Sequence, residues 1–292
     1  MSEPVRDAAL EHFGPDGMRR FHIPGVYGIR LPDWARQYLQ DTGVPLNVAR
    51  YFQAAAPTEG ITLGLLAGYL GLPRPPAEMA DWLRIGTDGL AHLCVRPDGA
   101  VQAVFLEDEG QDDLLVASSI TTFTSALAAL DRKLPVIAAS PGLSVAAAAF
   151  RELNADLRHI DDKAFREREN WWPRVLDDVR HTLNFPFSAA FEYIDQAGNK
   201  QIVTDATGPG RPHPEELLWQ RLKEQGITPE QVRRVYCELE PCMMPGHYCA
   251  VWLNTTFPHA QFTHSFDYGT DAESREEGLK ELITHAARQA PQ

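Results

Sequence analysis

The chain has 292 residues, of which 44% are hydrophobic, so it is long enough to bury real cores and to form two domains. This composition excludes an intrinsically disordered chain, and four Cys in this length exclude a small disulfide scaffold. With 27 basic and 40 acidic side chains the formal net charge is −13, which disfavours a protein that coats duplex DNA through clustered Lys and Arg.

The apolar stretches of the chain argue against export and against a membrane partner. Residues 1–20 carry no apolar run of the signal-peptide type. The most apolar stretches, 61–72 and 136–150, are too short and too interrupted by Gly, Ser or Pro to span a bilayer. We therefore expect a cytoplasmic protein.

The first half of the chain mixes helical and strand patterns, as expected for an α+β domain. A short helix is predicted over 32–40. Strands are predicted at 82–85, 91–95 and 100–106, and residues 96–99 (Arg-Pro-Asp-Gly) form a turn that makes the last two a hairpin. An amphipathic helix, capped by Ser118 or Ser119, is predicted over 118–132 and should pack on the sheet.

These elements resemble the SUKH superfamily of bacterial immunity proteins. The resemblance is carried by Arg84-Ile85-Gly86, by the hairpin 95–101, by the helix 118–130 and by the later helical residues 164–168 and 171–176. It covers roughly residues 20–182. It implies an α+β module that neutralises a toxin or other effector protein by direct contact, and it implies no catalytic residues.

A second domain is predicted to begin near Asn184-Phe185-Pro186, because a proline disfavours helix at the residue before it. The predicted domains are therefore 1–183 and 184–292. The second domain is predicted to contain strands and helices in the order ββαβαβα. This order indicates a central sheet with helices on its faces. Its predicted elements are 187–194, 200–204, 214–225, 232–239, 248–254, 260–266 and 274–288.

The residues that carry chemistry lie at two predicted helix starts of this second domain. His213-Pro214-Glu215 opens one helix, and Cys242 and Cys249 flank the start of the next. A catalytic zinc ion takes three protein ligands and keeps one open position, and His, Cys and Cys are an acceptable set. The order H-x-E followed by P-C-x-x-C is the pattern of zinc nucleobase deaminases.

The cysteine spacing departs from that pattern, because six residues separate Cys242 from Cys249 where the tight motif has two. Pro245-Gly246 within the insert predicts a turn that folds the chain back. Cys249 is expected in the first turn of a helix, where the helix dipole favours a thiolate. His213 is expected at the cap position before Pro214. Both sulfurs could then reach one metal ion.

Residues 186–290 resemble the nucleic acid and nucleotide deaminases of bacterial polymorphic toxin systems. The resemblance is carried by residues 211–216, 236–242, 244–246, 248–249, 252–253 and 263–269. It implies that His213, Cys242 and Cys249 bind zinc and that Glu215 shuttles protons between the attacking water and the departing amine. The widened cysteine pair is common in this family.

Several neighbouring residues have alternative interpretations. Cys237 alternates with Val235 and Leu239 along a strand, which favours a buried thiol over a fourth ligand. His247 lies beside Gly246, and both a solvated loop and a supporting role behind the ligands remain open. Substrate contacts are assigned to His264, Phe266 and Tyr268 as base-stacking or base-contacting residues, with core packing as the alternative.

The sequence thus predicts a zinc-dependent hydrolytic deaminase of a nucleobase, fused to an immunity-type protein-binding domain. Conversion of cytosine to uracil is preferred from the family likeness, and adenine stays open because pocket shape decides it. The expected substrate is single-stranded nucleic acid or a nucleotide. The alternatives are a free-nucleotide deaminase, which the acidic charge favours, and a non-catalytic toxin-binding protein that uses a deaminase-like fold for recognition.

Overall fold

The computed structural model describes residues 7–23, 28–56, 62–106 and 112–289. The chain divides into two compact units. The first contains residues 1–134 and 151–173, and the second contains residues 135–150 and 174–292. Each unit combines two separate segments of the chain, so no single residue divides the two units. The boundary between 183 and 184 stays a prediction.

The described residues of the first unit form the strands β1 (Met18–Arg19), β2 (Val44–Pro45), β3 (Asn47–Val48), β4 (Phe52–Ala54), β5 (Leu83–Thr87), β6 (His92–Val95), β7 (Val101–Val104) and β8 (Leu114–Ala117). Strands β3 to β8 pair in chain order in one antiparallel sheet. Strands β1 and β2 pair in a separate sheet.

The helices of the first two-thirds of the chain are α1 (Ala8–Phe13), α2 (Asp33–Asp41), α3 (Leu63–Leu70), α4 (Ile120–Ala138), α5 (Leu143–Ile160) and α6 (Trp171–Asn184). The last three cross the division between the compact units. The predicted helix over 32–40 is confirmed as α2. The predicted helix over 118–132 is confirmed as α4, which runs six residues further than expected and contains Pro135.

The predicted hairpin between β6 and β7 is confirmed, and its turn shows the expected hydrogen bond and glycine conformation. The Arg96 backbone N–H donates to Ala100 O at 2.8 Å, and Gly99 has φ +86°, a conformation that favours glycine. The cap of α4 is Ser119, whose Oγ accepts from the Thr122 backbone N–H at 3.1 Å. Phe123 of α4 meets Phe52 of β4 edge-on at 5.3 Å, which places the helix against the sheet as predicted.

The described residues after 184 follow the predicted order ββαβαβα. Their strands and α-helices are β9 (Ser188–Ile194), β10 (Lys200–Ala206), α7 (Pro214–Glu224), β11 (Val232–Leu239), α8 (Cys249–Thr256), β12 (Gln261–Phe266) and α9 (Ala272–Gln289). The sheet order is β10-β9-β11-β12. The fold class predicted from the sequence, an α+β domain followed by an α/β domain, is confirmed.

Strand directions decide where the loops of the second unit meet. β9 runs antiparallel to both β10 and β11, whereas β11 and β12 are parallel. β10, β11 and β12 therefore point the same way, and their carboxyl ends share one edge of the sheet. Clefts at the carboxyl ends of parallel strands are the usual ligand sites of open α/β sheets.

The core of the second unit lies between this sheet and its helices. Strand β9 alternates between buried and half-exposed residues, with Ala189, Phe191 and Tyr193 inward. These side chains join one apolar cluster with residues of α7, β11, α8 and α9, including Leu218, Val235, Leu253 and Leu282. The packed core fixes the helix starts of α7 and α8 relative to the strand ends that precede them.

Candidate metal centre and active site

His213 is held at the start of α7 by local chemistry. It occupies the N-cap position, and Pro214 at the first helical position fits because its ring pre-sets the helical φ and it has no N–H to satisfy. The Glu216 carboxylate accepts from the His213 backbone N–H at 2.7 Å, which closes half of a capping box. The backbone of His213 is therefore fixed, and its cap position agrees with the prediction.

The two cysteines are brought together by the loop between β11 and α8. His247 N–H and Tyr248 N–H both donate to Met244 O at 3.0 Å, and Gly246 has φ +79°. The predicted reversal at Pro245-Gly246 is thus confirmed. Tyr248 caps α8 in the left-handed region with φ +44°, and Cys249 is the first helical residue.

The ligand-type atoms of His213, Cys242 and Cys249 converge on one point. His213 Nδ1 lies 3.5 Å from Cys242 Sγ and 3.4 Å from Cys249 Sγ, and all three side chains are buried. The three ligand atoms lie within 4.8 Å of one another. One buried imidazole nitrogen and two buried sulfurs suit a zinc ion, which prefers nitrogen and sulfur ligands and takes three from the protein in catalytic sites.

The two sulfurs differ in their readiness to ionise. Burial opposes ionisation of Cys242, but contacts with Cys249 and His213 outweigh it and hold the pKa of this thiol well below its usual value. Burial and the adjacent Cys242 sulfur raise the pKa of Cys249. One thiolate is therefore already favoured, and a metal ion that takes both sulfurs must displace the remaining proton.

Glu215 and Glu216 have different surroundings, although they are adjacent on α7. Glu215 is buried, and burial raises the pKa of its carboxyl while the nearby His213 ring opposes that rise. A carboxyl group with a raised pKa can both accept and return a proton near neutral pH. Glu216 is instead engaged by the His213 backbone and by His247 Nδ1, which lies 2.7 Å from its Oε2.

A layer of buried groups lies behind the three ligand-type residues. The sequence did not identify Asp178 in this layer, whereas a supporting role was one of the two open interpretations of His247. Asp178 of α6 places Oδ1 3.0 Å from His213 Nε2 and Oδ2 3.2 Å from His247 Nε2. Burial opposes ionisation of Asp178, yet the two histidines hold the pKa of its carboxyl well below the usual range. His247 is buried rather than solvated, and its ring stacks on that of His213 at 3.9 Å.

The carboxylate of Asp178 raises the pKa of both histidines. Burial lowers the pKa of His213, but Asp178 and Cys242 outweigh it and raise that pKa well above the usual value. Burial and the His213 ring lower the pKa of His247, whereas Asp178 and Glu216 raise it to a final value of about 9. No short-range pattern marks Asp178, which precedes His213 by 35 residues.

Asp178, His213 and His247 also form a cluster that could hold a metal ion. His213 belongs to both clusters through different ring nitrogens, Nδ1 toward the sulfurs and Nε2 toward Asp178. The sulfur side fits zinc better, because the carboxylate and imidazoles of the other cluster already pair with each other.

The three residues assigned to substrate contacts occupy different environments. Tyr268 is buried, and its hydroxyl pairs with His181 Nδ1 at 2.5 Å. Phe266 is partly buried and its ring meets His285 at 5.4 Å. His264 is exposed and pairs with Asp267 Oδ1 at 2.9 Å. The Tyr268 environment favours a structural role, and the contacts of all three with substrate stay predictions.

The remaining cysteines behave as buried thiols. Cys237 lies inward on β11 with Val235 and Leu239, as the alternation predicted, and burial raises its pKa. Cys94 is fully buried on β6, and burial raises its pKa as well. Within the described ranges, neither thiol belongs to a cluster of metal-ligating groups.

Two protein families match successive parts of the chain. Residues 186–285 match the family described as Xanthomonas-like deaminase. Residues 5–178, more than half of the chain, match the SUKH-4 immunity protein family. The chain therefore belongs to the SUKH-4 immunity protein family and carries a deaminase-family domain after that match. Both resemblances predicted from the sequence are confirmed.

No curated protein and no solved structure matches the chain. Across the described residues, none of the helices has both the length and the apolar character required to span a membrane.

Proposed function

We propose that this chain is a zinc-dependent hydrolytic deaminase that converts cytosine to uracil in single-stranded nucleic acid or a nucleotide. The observation that carries the proposal is the convergence of His213 Nδ1, Cys242 Sγ and Cys249 Sγ beside the helix turn that bears buried Glu215. The deaminase-family match supports the reaction class.

The chemistry divides between the metal and the protein. When bound, zinc supplies a Lewis acid that activates water for attack on the amine-bearing carbon. His213, Cys242 and Cys249 would hold the ion. Glu215 would take the two protons of the attacking water in turn and pass one to the ring nitrogen beside the reacting carbon and the other to the departing amine. The water oxygen then becomes the carbonyl oxygen, and ammonia leaves as the bond between carbon and the amine breaks. The raised pKa of Glu215 matches that double task.

The proposal is tested on the full chain with zinc measured per chain and uracil formation measured on three substrates. The substrates are single-stranded DNA, RNA and cytidine mononucleotides. Glu215→Gln is compared with Glu224→Gln, because Glu224 is an exposed residue at the end of the same helix. We expect Glu215→Gln to keep zinc and lose about 10²- to 10⁴-fold in turnover, the usual contribution of a general acid-base. Glu224→Gln should match the wild type.

The outcomes separate the alternatives. Zinc binding without deamination of either cytosine or adenine on any substrate would contradict the catalytic proposal and favour a deaminase fold used for recognition. Turnover of adenine alone would overturn the preference for cytosine. A strong preference for mononucleotides would identify a free-nucleotide deaminase, which the net charge of −13 favours over long polyanions.

We also propose that the SUKH-4 portion binds a toxin protein. The family match over residues 5–178 carries this second function. Calorimetric titration of the purified chain with a toxin encoded beside its gene tests it directly. Saturable binding is expected, and the absence of binding to every such toxin would contradict the proposal.

A further inference from the structure

One buried carboxylate contacts both histidines of the site. Asp178 lies on α6 and is only 3% exposed. Its Oδ1 faces His213 Nε2 at 3.0 Å, and its Oδ2 faces His247 Nε2 at 3.2 Å. A buried charge is costly unless it is paired, so the two ring nitrogens account for the presence of this carboxylate in the core.

The two nitrogens of His213 face different partners. Nδ1 faces the sulfurs of Cys242 and Cys249, whereas Nε2 faces Asp178. A histidine that binds a metal ion through Nδ1 must carry its ring hydrogen on Nε2. The contact of Nε2 with Asp178 Oδ1 at 3.0 Å lacks hydrogen-bond geometry, but a carboxylate charge at this distance favours the tautomer with hydrogen on Nε2.

His247 links the same carboxylate to the backbone of His213. Its Nδ1 lies 2.7 Å from Glu216 Oε2, and that oxygen accepts from the His213 backbone N–H at 2.7 Å. The His247 ring stacks on the His213 ring with an interplanar angle of 9°. His213 is thus held through its ring and its backbone by one connected set of groups.

The geometry points to Asp178 as a positioning residue that orients His213 for zinc, an inference that rests on the proposed function. Residue 178 is the last residue of the SUKH-4 match and precedes the deaminase match, which begins at 186. It nevertheless belongs to the second compact unit, together with His213 and both cysteines. The deaminase site thus uses a residue from the helix before its own family match.

The test compares Asp178→Asn with Asp177→Asn in the full chain. Asp177 is the preceding residue of α6 and pairs with Arg180 at 3.0 Å, so it controls for the loss of one negative charge from this helix. Zinc affinity is measured by competition with a chromophoric chelator. We expect about a 10- to 100-fold loss of affinity for Asp178→Asn, the usual effect of removing such a partner, and less than about a twofold change for Asp177→Asn.

A second measurement keeps the test decisive if Asp178→Asn does not fold. Nitrogen-15 NMR of the zinc-loaded wild type identifies which ring nitrogen of His213 carries hydrogen. We expect zinc at Nδ1 and a hydrogen on Nε2 that exchanges slowly with water. Zinc at Nε2, or rapid exchange of the Nε2 hydrogen, would overturn the inference.

The two proposals fail in different ways. A folded wild-type chain that binds no zinc contradicts the proposed function and this inference together. A wild type that binds zinc, with a folded Asp178→Asn variant of equal affinity, overturns the positioning role alone. Thermal unfolding in excess chelator shows whether each variant is folded before zinc is added.

Discussion

Buried carboxylates occur in both compact units, but they meet different partners. In the first unit, Asp161 Oδ2 accepts from Ser118 N–H at 2.6 Å and from Thr122 Oγ1 at 2.9 Å. Asp88 of the same unit accepts from Ala91 N–H at 2.9 Å and from the indole N–H of Trp171 at 2.7 Å. The donors named here are backbone groups and neutral side chains, and they hold turns and helix starts in place.

In the second unit, the buried carboxylate of Asp178 meets two histidines, one of which also faces two cysteines. Every group in this set can gain or lose a proton, and the set joins one side chain of α6 to the starts of α7 and α8. Burial of a carboxylate therefore does not by itself mark a site. The titratable character of its partners separates a structural carboxylate from one that supports chemistry.

The sharpest test of this difference is removal of one sulfur from each unit. Cys242→Ser should reduce zinc from about one per chain to near zero, because a catalytic zinc ion depends on three protein ligands. Cys94→Ser serves as the control, since Cys94 is a fully buried thiol of the first unit. Elemental analysis of both folded variants measures the effect. Zinc retained in Cys242→Ser, or lost in Cys94→Ser, would remove the distinction between the units.

A pH dependence of intermediate size should come from His181 in the second unit. Burial, followed by the adjacent Arg180 charge, lowers the pKa of His181 to about 4. The unfolded chain takes up this proton near pH 6.5, so stability is complete above that value and falls as the pH drops toward 4. A shift of this size corresponds to about 3 kcal/mol in the free energy of unfolding.

The His181 contribution is isolated by comparing the thermal unfolding of the wild type and His181→Gln between pH 7 and 4. The variant should lose less stability on acidification than the wild type. His159→Gln, at an exposed position of α5, is the matched control and should follow the wild type. Parallel curves for the wild type and His181→Gln would show that His181 already ionises with an ordinary pKa.

The smallest expected effect tests a carboxylate of the first unit. Asp161→Asn replaces one acceptor oxygen with a donor beside Ser118 N–H, which should lower the free energy of unfolding by about 1 to 2 kcal/mol. Zinc content should not change. Asp162→Asn is the control, because Asp162 is exposed at the next position. Chemical denaturation and elemental analysis measure both quantities, and a loss of zinc in Asp161→Asn would contradict the structural role.

Much of the second unit was predictable because its signals are local. Proline after His213 and the Pro245-Gly246 pair fix backbone conformations within a few residues, so a helix start and a chain reversal could be predicted from the sequence. The strand alternation around Cys237 predicted its burial for the same reason. Substrate contacts are harder to predict from the sequence. An aromatic residue on a strand, such as Phe266, has the same sequence pattern whether it packs in a core or lies on a binding surface.

Asp177 and Asp178 show most directly what the sequence leaves undecided. They are adjacent and chemically identical, yet Asp177 pairs with Arg180 while Asp178 is buried against two histidines. The sequence by itself determined the two families, the order of elements and the three ligand-type residues that lie close together in the second unit, because short motifs and periodic burial encode them. Only the tertiary structure placed Asp178 and His247 beside those residues, since packing between elements far apart in the chain decides which polar side chains lose contact with water.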